Sequence, residues 1–157
     1  MLSWAPQFAG QTQGTPAFSA TWRHVAQQDP KGFAAAQHAF IERTHYSPSV
    51  ERIARRTGLD VNSRSAALQD VVWSTAVHQG PRNEVVTRAI QQVDARLSRN
   101  APNFDRELIK AIYSERGRRD PDGNLHYFHS SSPAVQQGVA RRFVAEQADA
   151  LRMLQQR

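Results

Sequence analysis

Three polar residues follow one another at intervals of four in an otherwise apolar stretch: Asp70, Ser74 and His78. In an α-helix this spacing places them on neighbouring turns of one face. Their types are those of a hydrolytic triad, but a serine in mid-helix lies among backbone N–H groups that already have partners, so no oxyanion hole can form beside it. The spacing therefore favours a hydrogen-bonded strip, either at the floor of a cleft or as a satisfied internal network.

A second group of polar residues could in principle bind a metal ion. His38, Glu42 and His45 lie at i, i+4 and i+7 of a predicted helix, and imidazole and carboxylate groups are zinc ligands. The spacing is not that of zinc proteases, in which two histidines four residues apart flank a glutamate. An ordinary solvated face is the simpler interpretation, so we expect no metal and no cofactor. Gln37, His38 and Tyr46 could instead contribute polar contacts to a sugar or a peptide.

One glutamate is a weak candidate for a catalytic acid. Glu115 ends a predicted helix just before an arginine-rich loop, and it could act as a general acid if it were buried and protonated. A glutamate beside Arg116 and Arg118 is more often a surface ion partner. Glycosidases use two carboxyl groups that face each other across the scissile bond, and no second acidic residue stands out as the counterpart of Glu115.

The composition of the 157-residue chain limits its chemistry and its partners. Cysteine is absent, which excludes disulfides, thiolate zinc sites and cysteine nucleophiles. The 20 basic residues outnumber the 14 acidic ones, and the formal charge is +6. This excess favours an anionic partner such as nucleic acid, an acidic glycan or a membrane surface. An arginine-rich composition can also reflect only the base composition of the source genome.

Two of these partners are disfavoured by the sequence pattern. The arginines are spread over nearly every segment instead of clustering with interleaved aromatic residues, which argues against nucleic acid. No apolar run approaches the ~20 residues that a membrane span needs. The N-terminus has no basic region followed by a long apolar run, so we expect synthesis in the cytoplasm without a signal peptide.

The periodicity of the chain predicts an all-α fold. Residues 65–79 carry an apolar stripe that Ala67, Trp73 and Val77 widen until little of the surface is polar, so this helix must lie inside the domain with others packed around it. We predict a lead-in loop over residues 1–16 and one helical domain over 17–157. That domain has six or seven helices around the central helix, with a small hairpin near residues 120–130.

Helix starts are marked by a polar residue followed by proline, at Asp29-Pro30, Ser47-Pro48 and Ser132-Pro133. Such a residue can cap the helix, and proline suits the first helical position. Gly58 and Gly80 are predicted to end the helices that precede them.

Several phrases resemble the lysozyme-superfamily, chitosanase-like hydrolase domains of phage proteins and of type VI secretion spike proteins. The strongest are residues 8–18 (FAGQTQGTPAF), 36–41 (AQHAFI), 44–46 (THY), 68–77 (LQDVVWSTAV), 111–117 (AIYSERG) and 132–136 (SPAVQ). The resemblance implies a two-lobed α-helical fold whose cleft binds the glycan strands of peptidoglycan, with muramidase-type cleavage of the strand in the full family. We expect the cleft to be lined or supported by Gln37, His38, Tyr46, Trp73, Ser74, His78 and Tyr113.

The sequence departs from this family at the catalytic residues. The family pattern places a catalytic glutamate in a Glu-Ser-Gly-Gly-like stretch, followed by a second acidic residue and a Ser-Tyr-Gly motif, all before the segment that here begins at Met1. Nothing resembling these motifs occurs here. We therefore expect a catalytically incomplete hydrolase domain that lacks the family's N-terminal catalytic segment. The alternative is a non-catalytic helical module that binds the cell wall or docks to a phage or secretion component.

The expected partners are peptidoglycan glycan strands and, besides these, a phage or secretion-spike protein or the missing N-terminal segment. The expected site of action is the periplasm or the cell wall, after delivery by phage or secretion machinery.

Overall fold

The computed structural model describes residues 16–156, and its regular elements are helical. Within these residues there are seven α-helices: α1 (Pro16–Gln28), α2 (Pro30–Ile41), α3 (Ser47–Thr57), α4 (Ala66–Gln79), α5 (Val85–Asp94), α6 (Phe104–Arg116) and α7 (Pro133–Gln155). The predicted all-α class and the number of helices are confirmed. The predicted lead-in loop falls almost wholly on residues outside the described ones. Within the described part of the chain, no helix has the length and apolar character needed to cross a membrane.

The described residues divide into two compact units, of which the first ends at Glu42 and the second begins at Arg43. In the first unit, α2 begins as the sequence predicts, because the Asp29 side chain accepts a hydrogen bond of 3.1 Å from the backbone N–H of Gly32 and Pro30 occupies the first turn. The rings of Trp22 and Phe33 meet edge to face with centroids 4.7 Å apart, a favourable aromatic geometry that joins α1 to α2. The prediction of one domain over residues 17–157 stays a prediction.

The second unit is built around α4, as the apolar stripe predicts. Ser65 caps this helix by accepting a hydrogen bond from the N–H of Leu68. Its buried residues pack into a core with side chains of α3, α5, α6 and α7. The buried residues of α4 are Ala67, Leu68, Val71, Val72, Thr75 and Ala76.

The expectation that α4 is apolar and buried on nearly all sides is wrong for its outer face. Val77 is 40 % exposed, and Asp70 and His78 are exposed as well. Helices α6 and α7 cover the other side of α4, so the outer face is left in contact with solvent. A single exposed valine on this face lowers the stability only slightly.

The start of α6 is tied to the start of α4 by one carboxylate. Asp105 accepts hydrogen bonds from the backbone N–H of Ser65 at 3.0 Å and from Nε of Arg64 at 2.9 Å. Burial opposes ionisation of Asp105, but these hydrogen bonds outweigh it and hold its pKa below the usual value. The contact fixes how α4 and α6 lie against each other, and so positions the side chains at their far ends.

Two local predictions differ in detail from the structure. Ser47 does not cap α3, because a π-helical turn over Glu42–Tyr46 leads directly into that helix. The hairpin predicted near residues 120–130 is reduced to a single antiparallel bridge between Arg119 and Leu125, closed by a turn in which Gly123 has a φ of 86°. A short 3-10 helix, His126–Phe128, follows it.

Candidate functional site

The polar face of α4 meets one carboxylate of α7. Oε2 of Glu146 accepts hydrogen bonds from the hydroxyl groups of Ser74 and Tyr113, both at 3.1 Å, and from Nη1 of Arg116 at 3.4 Å. Oε1 accepts a hydrogen bond of 2.8 Å from Nε of Arg142, one turn earlier on α7. We call these five residues the Glu146 cluster. Of the predicted strip, Ser74 therefore belongs to a hydrogen-bonded cluster whose central carboxylate comes from another helix.

Arg116 is the most buried member of this cluster, with 0 % of its surface exposed. Its guanidinium carbon lies 4.4 Å from the ring centroid of Phe143 and 5.1 Å from that of Tyr113, distances at which a cation is attracted to an aromatic face. Its Nε donates a hydrogen bond of 3.0 Å to Oε1 of Gln79, the last residue of α4. Arg116 thus holds α4, α6 and α7 together at one point.

The charges of the cluster fix its protonation states. Burial disfavours the charged form of Glu146, but hydrogen bonds from Arg142, Tyr113 and Ser74 and the charge of Arg116 outweigh it and hold its pKa below the usual value. Burial and the neighbouring Glu146 raise the pKa of Tyr113, so its hydroxyl stays a donor.

His78 is the exposed end of the predicted strip. Burial, together with the positive charges of Arg142 and Arg116, lowers its pKa. Its ring is therefore neutral at pH 7, and Nε2 faces Nη2 of Arg142 as a hydrogen-bond acceptor. Asp70, the other end of the strip, is exposed on α4, and the hydrogen bonds that define the cluster come from elsewhere. The structure thus gives no triad geometry.

We expect the Glu146 cluster to make stability fall in acid. Because the pKa of Glu146 in the folded state lies below its ordinary value of 4.5, its contribution is fully present above that pH and is lost as the pH falls through the folded-state pKa. Urea unfolding followed between about pH 3 and pH 6 should show a steeper acid loss for the natural chain than for Glu146→Gln. Asp105 titrates in both proteins, so its contribution cancels. Parallel pH profiles would contradict this role of Glu146.

A cavity of about 460 Å³ lies where α4 ends, and we call it the α4 groove. Its lining combines cations, amides and aromatic rings: His78, Gln79, Arg82, Asn83, Glu84, Arg88, His126, Tyr127 and Phe128. The one carboxylate among them, that of Glu84, is already paired with Arg52 and with Arg56. The groove therefore presents Arg82 without a competing free anion in its lining, whereas Arg88 also pairs with the buried carboxylate of Glu115 at 3.7 Å.

Glu115 lies behind this lining and has the contacts of an ion partner. It is 5 % exposed, and its Oε1 accepts a hydrogen bond of 2.6 Å from the hydroxyl of Tyr127. The same oxygen lies 3.7 Å from Nη1 of Arg88 and 3.5 Å from Nη2 of Arg118. Burial and this hydrogen bond raise the pKa of Tyr127 to about 12. Glu115 is thus buried, not at the surface. Its ion partners are Arg88 and Arg118, whereas the sequence suggested Arg116 and Arg118.

A larger cavity of about 610 Å³ lies at the other end of α4. Two of its arginines are already engaged, since Arg64 pairs with Asp105 at 2.7 Å and Arg99 with Asp94 at 2.9 Å. None of the sequence-predicted binding residues lines it. We take the α4 groove as the candidate site because His78, one of the sequence-predicted binding residues, lines it.

The remaining predicted residues lie elsewhere. Tyr46 is buried and donates a hydrogen bond of 2.9 Å to Oδ1 of Asn62. Its ring centroid lies 5.2 Å from that of Trp73, with the two rings tilted by 34°. Gln37 and His38 are exposed on α2, in the first unit. The structure brings together Ser74, His78 and Tyr113, while Tyr46 and Trp73 form a separate contact. The binding roles of all of these residues stay predictions.

The suggested metal site has ordinary side-chain contacts. Nδ1 of His38 lies 3.9 Å from Oε2 of Glu42, and Nδ1 of His45 forms a hydrogen bond of 2.7 Å with the hydroxyl of Thr44. Over residues 16–156, the structure places no group of three or more His, Asp or Glu side chains so that they could hold a metal ion.

The sequence did not point to several residues of the groove and of the Glu146 cluster. These are Gln79, Arg82 and Arg88 in the groove lining, and Arg142 and Glu146 in the cluster. The only signal for the last two is their i, i+4 spacing on α7, which is common on solvated helices. Ser74 and Glu146 are 72 positions apart in the chain, so no local pattern could have paired them.

A family model and one known protein that resemble this chain both belong to type VI secretion system spike proteins. Residues 1–147 match the model of the family described as type VI secretion system spike protein VgrG3-like, C-terminal. The type VI secretion system spike protein VgrG3 of Vibrio cholerae serotype O1 (strain ATCC 39315 / El Tor Inaba N16961) is 35 % identical over 83 residues. That alignment covers 53 % of this chain and 8 % of the Vibrio protein, so this chain corresponds to a small part of its relative.

Proposed function

This chain belongs to the VgrG3-like C-terminal family of type VI secretion system spike proteins, and we propose that it is a peptidoglycan-directed, lysozyme-like domain. In this proposal the chain binds glycan strands in the α4 groove and does not cleave them by itself. Family membership supports delivery by secretion machinery to the periplasm or the cell wall. A secretion-spike protein is then the second partner, beside the glycan.

The lining of the α4 groove suits a glycan with anionic substituents. Tyr127 and Phe128 offer ring faces for the apolar C–H faces of sugars, and Gln79 and Asn83 offer amides for their hydroxyl groups. Arg82 suits the carboxylates of the peptide stems, since a guanidinium binds a carboxylate through paired hydrogen bonds. Arg88 adds positive charge to the same lining, although it also pairs with Glu115. The formal charge of +6 adds a general attraction to such a polymer.

The proposal that the chain does not cleave the glycan is supported by one observation: the carboxylates near the groove already have partners within the protein. A glycosidase needs one carboxyl group free to give a proton and a second that acts on the other face of the sugar. Glu146 is ionised and accepts four hydrogen bonds, from Ser74, Tyr113, Arg116 and Arg142. Glu115 is enclosed by Tyr127 and two arginines. Glu84, the carboxylate in the lining of the groove, is paired with Arg52 and Arg56. All three carboxylates are thus already engaged within the protein.

Purified chain is expected to be retained by insoluble peptidoglycan at moderate salt. Arg82→Ala should weaken retention about fivefold, because one exposed charge contact contributes about 1 kcal/mol. Arg152→Ala is the matched control, since Arg152 is exposed, pairs with Asp149 and does not line the groove. A pull-down at rising salt measures both variants. Binding that disappears entirely at modest salt would show only charge attraction and would contradict groove binding.

The same chain incubated with peptidoglycan is expected to release no reducing ends above background. Glu115→Gln is the variant that tests the weak alternative. Clear turnover by the natural chain, abolished in this variant, would overturn the proposal and make Glu115 the catalytic acid.

Family membership also favours the alternative of a structural module. In that case the chain would be captured by a spike protein and would not be retained by peptidoglycan at any salt concentration.

A further inference from the structure

Two hydrogen-bond donors at the end of α4 lack acceptors. Arg116 Nε holds the amide oxygen of Gln79 at 3.0 Å, which leaves the amide nitrogen of Gln79 to find another acceptor. In the part of the chain that the structure describes, neither Nε2 of Gln79 nor Nη2 of Arg116 has one, although both atoms are buried. A buried donor without a partner costs about 1–3 kcal/mol. Of these two residues, Gln79 lines the α4 groove, so its Nε2 is the candidate donor to an acceptor that enters the groove.

The surroundings indicate the charge of the acceptor. Gln79 is part of the wall of the α4 groove, with Arg82 and Arg88 in the same lining. Arg116 is 0 % exposed and lies behind Gln79, fixing the orientation of its amide. The only acidic residue in the lining, Glu84, is neutralised by Arg52 and Arg56. An oxygen that enters here meets donors and positive charge, which is the environment that favours a carboxylate.

We propose that the α4 groove contains a carboxylate subsite in which Nε2 of Gln79 and the guanidinium of Arg82 bind the anion and Arg116 positions the Gln79 amide. This inference rests on the proposed function, and it names the ligand group as a peptide-stem carboxylate of peptidoglycan instead of the sugar chain alone. Nε2 of Gln79 is buried in this structure, so the proposal includes a side-chain rearrangement that exposes this atom to the ligand.

The test compares two soluble probes that differ only in charge. One is a disaccharide–tetrapeptide muropeptide, and the other is the same molecule with its stem carboxylates amidated. Calorimetric titration of the full chain is expected to give about tenfold weaker binding of the amidated probe, because charge-assisted hydrogen bonds are roughly twice as strong as neutral ones. Equal affinities would overturn the subsite and indicate that an internal water satisfies the two donors.

Variants locate the effect. Gln79→Leu keeps the approximate volume of the side chain and removes the donor, so it should reduce the preference for the charged probe and leave the part that Arg82 supplies. Arg82→Ala, at an exposed position, should reduce the preference for the charged probe, and Arg152→Ala should keep it. Circular dichroism checks that each variant is folded. Full preference in both Gln79→Leu and Arg82→Ala would overturn the assignment.

Failure of the subsite and failure of the proposed function give different results. A chain that insoluble peptidoglycan retains, but that binds both probes equally, retains its proposed function and loses the subsite. A chain that prefers the charged probe but is not retained by insoluble peptidoglycan keeps the subsite and loses the proposal for glycan strands.

Discussion

Replacing Arg116 by alanine is expected to lower the free energy of unfolding by about 3–5 kcal/mol, because truncating a large, fully buried side chain leaves a cavity among its neighbours and removes its hydrogen bonds. Arg116 is fully buried, contacts Glu146, Ser74 and Gln79, and packs between the rings of Tyr113 and Phe143. For a chain of this length each kcal/mol lowers Tm by about 2–4 °C. Thermal and urea unfolding measure the change.

Arg142→Ala is the matched control for this prediction. Arg142 pairs with the same carboxylate, but its side chain is 52 % exposed, so its loss should cost less than about 1 kcal/mol. Similar losses in the two variants would show that the burial of Arg116, between two aromatic rings, does not set the strength of the contact.

Replacing Glu115 by alanine is expected to lower the free energy of unfolding by about 2–3 kcal/mol, the range for lost hydrogen bonds to a buried charge. The Tyr127 hydroxyl would lose its acceptor, and Arg88 and Arg118 would lose their shared anion. The turn that carries Tyr127 would then be held less firmly against α6. Urea unfolding of the natural chain and the variant gives the difference.

Tyr127→Phe serves as the partial control for Glu115. It removes one hydrogen bond and leaves both ion contacts, so it should cost about 1 kcal/mol. A Glu115→Ala variant as stable as the natural chain would show that this carboxylate is not a structural ion partner, and would return it to consideration as a functional group.

The ends of the helices follow from sequence because they depend on neighbours in the chain. Asp29, Ser65 and Ser132 each accept a hydrogen bond from the N–H three residues later, and Gly58 takes the left-handed conformation, with a φ of 75°, that ends α3. These contacts form whenever the local backbone turns. The failure at Ser47 has a local cause as well, since the preceding π-helical turn already supplies a helical start.

By itself, the sequence determined that the chain is helical, that α4 buries an apolar stripe, and that Ser74 and His78 share a polar face, because each of these follows from the periodicity of one helix. Only the tertiary structure decided what that face meets. Glu146 on α7 and Arg116 on α6 reach Ser74 from 72 and 42 positions away, and Glu115 is buried by a turn that comes after its own helix. Such contacts depend on how helices pack, and side-chain packing over long separations leaves no periodic signal in the chain.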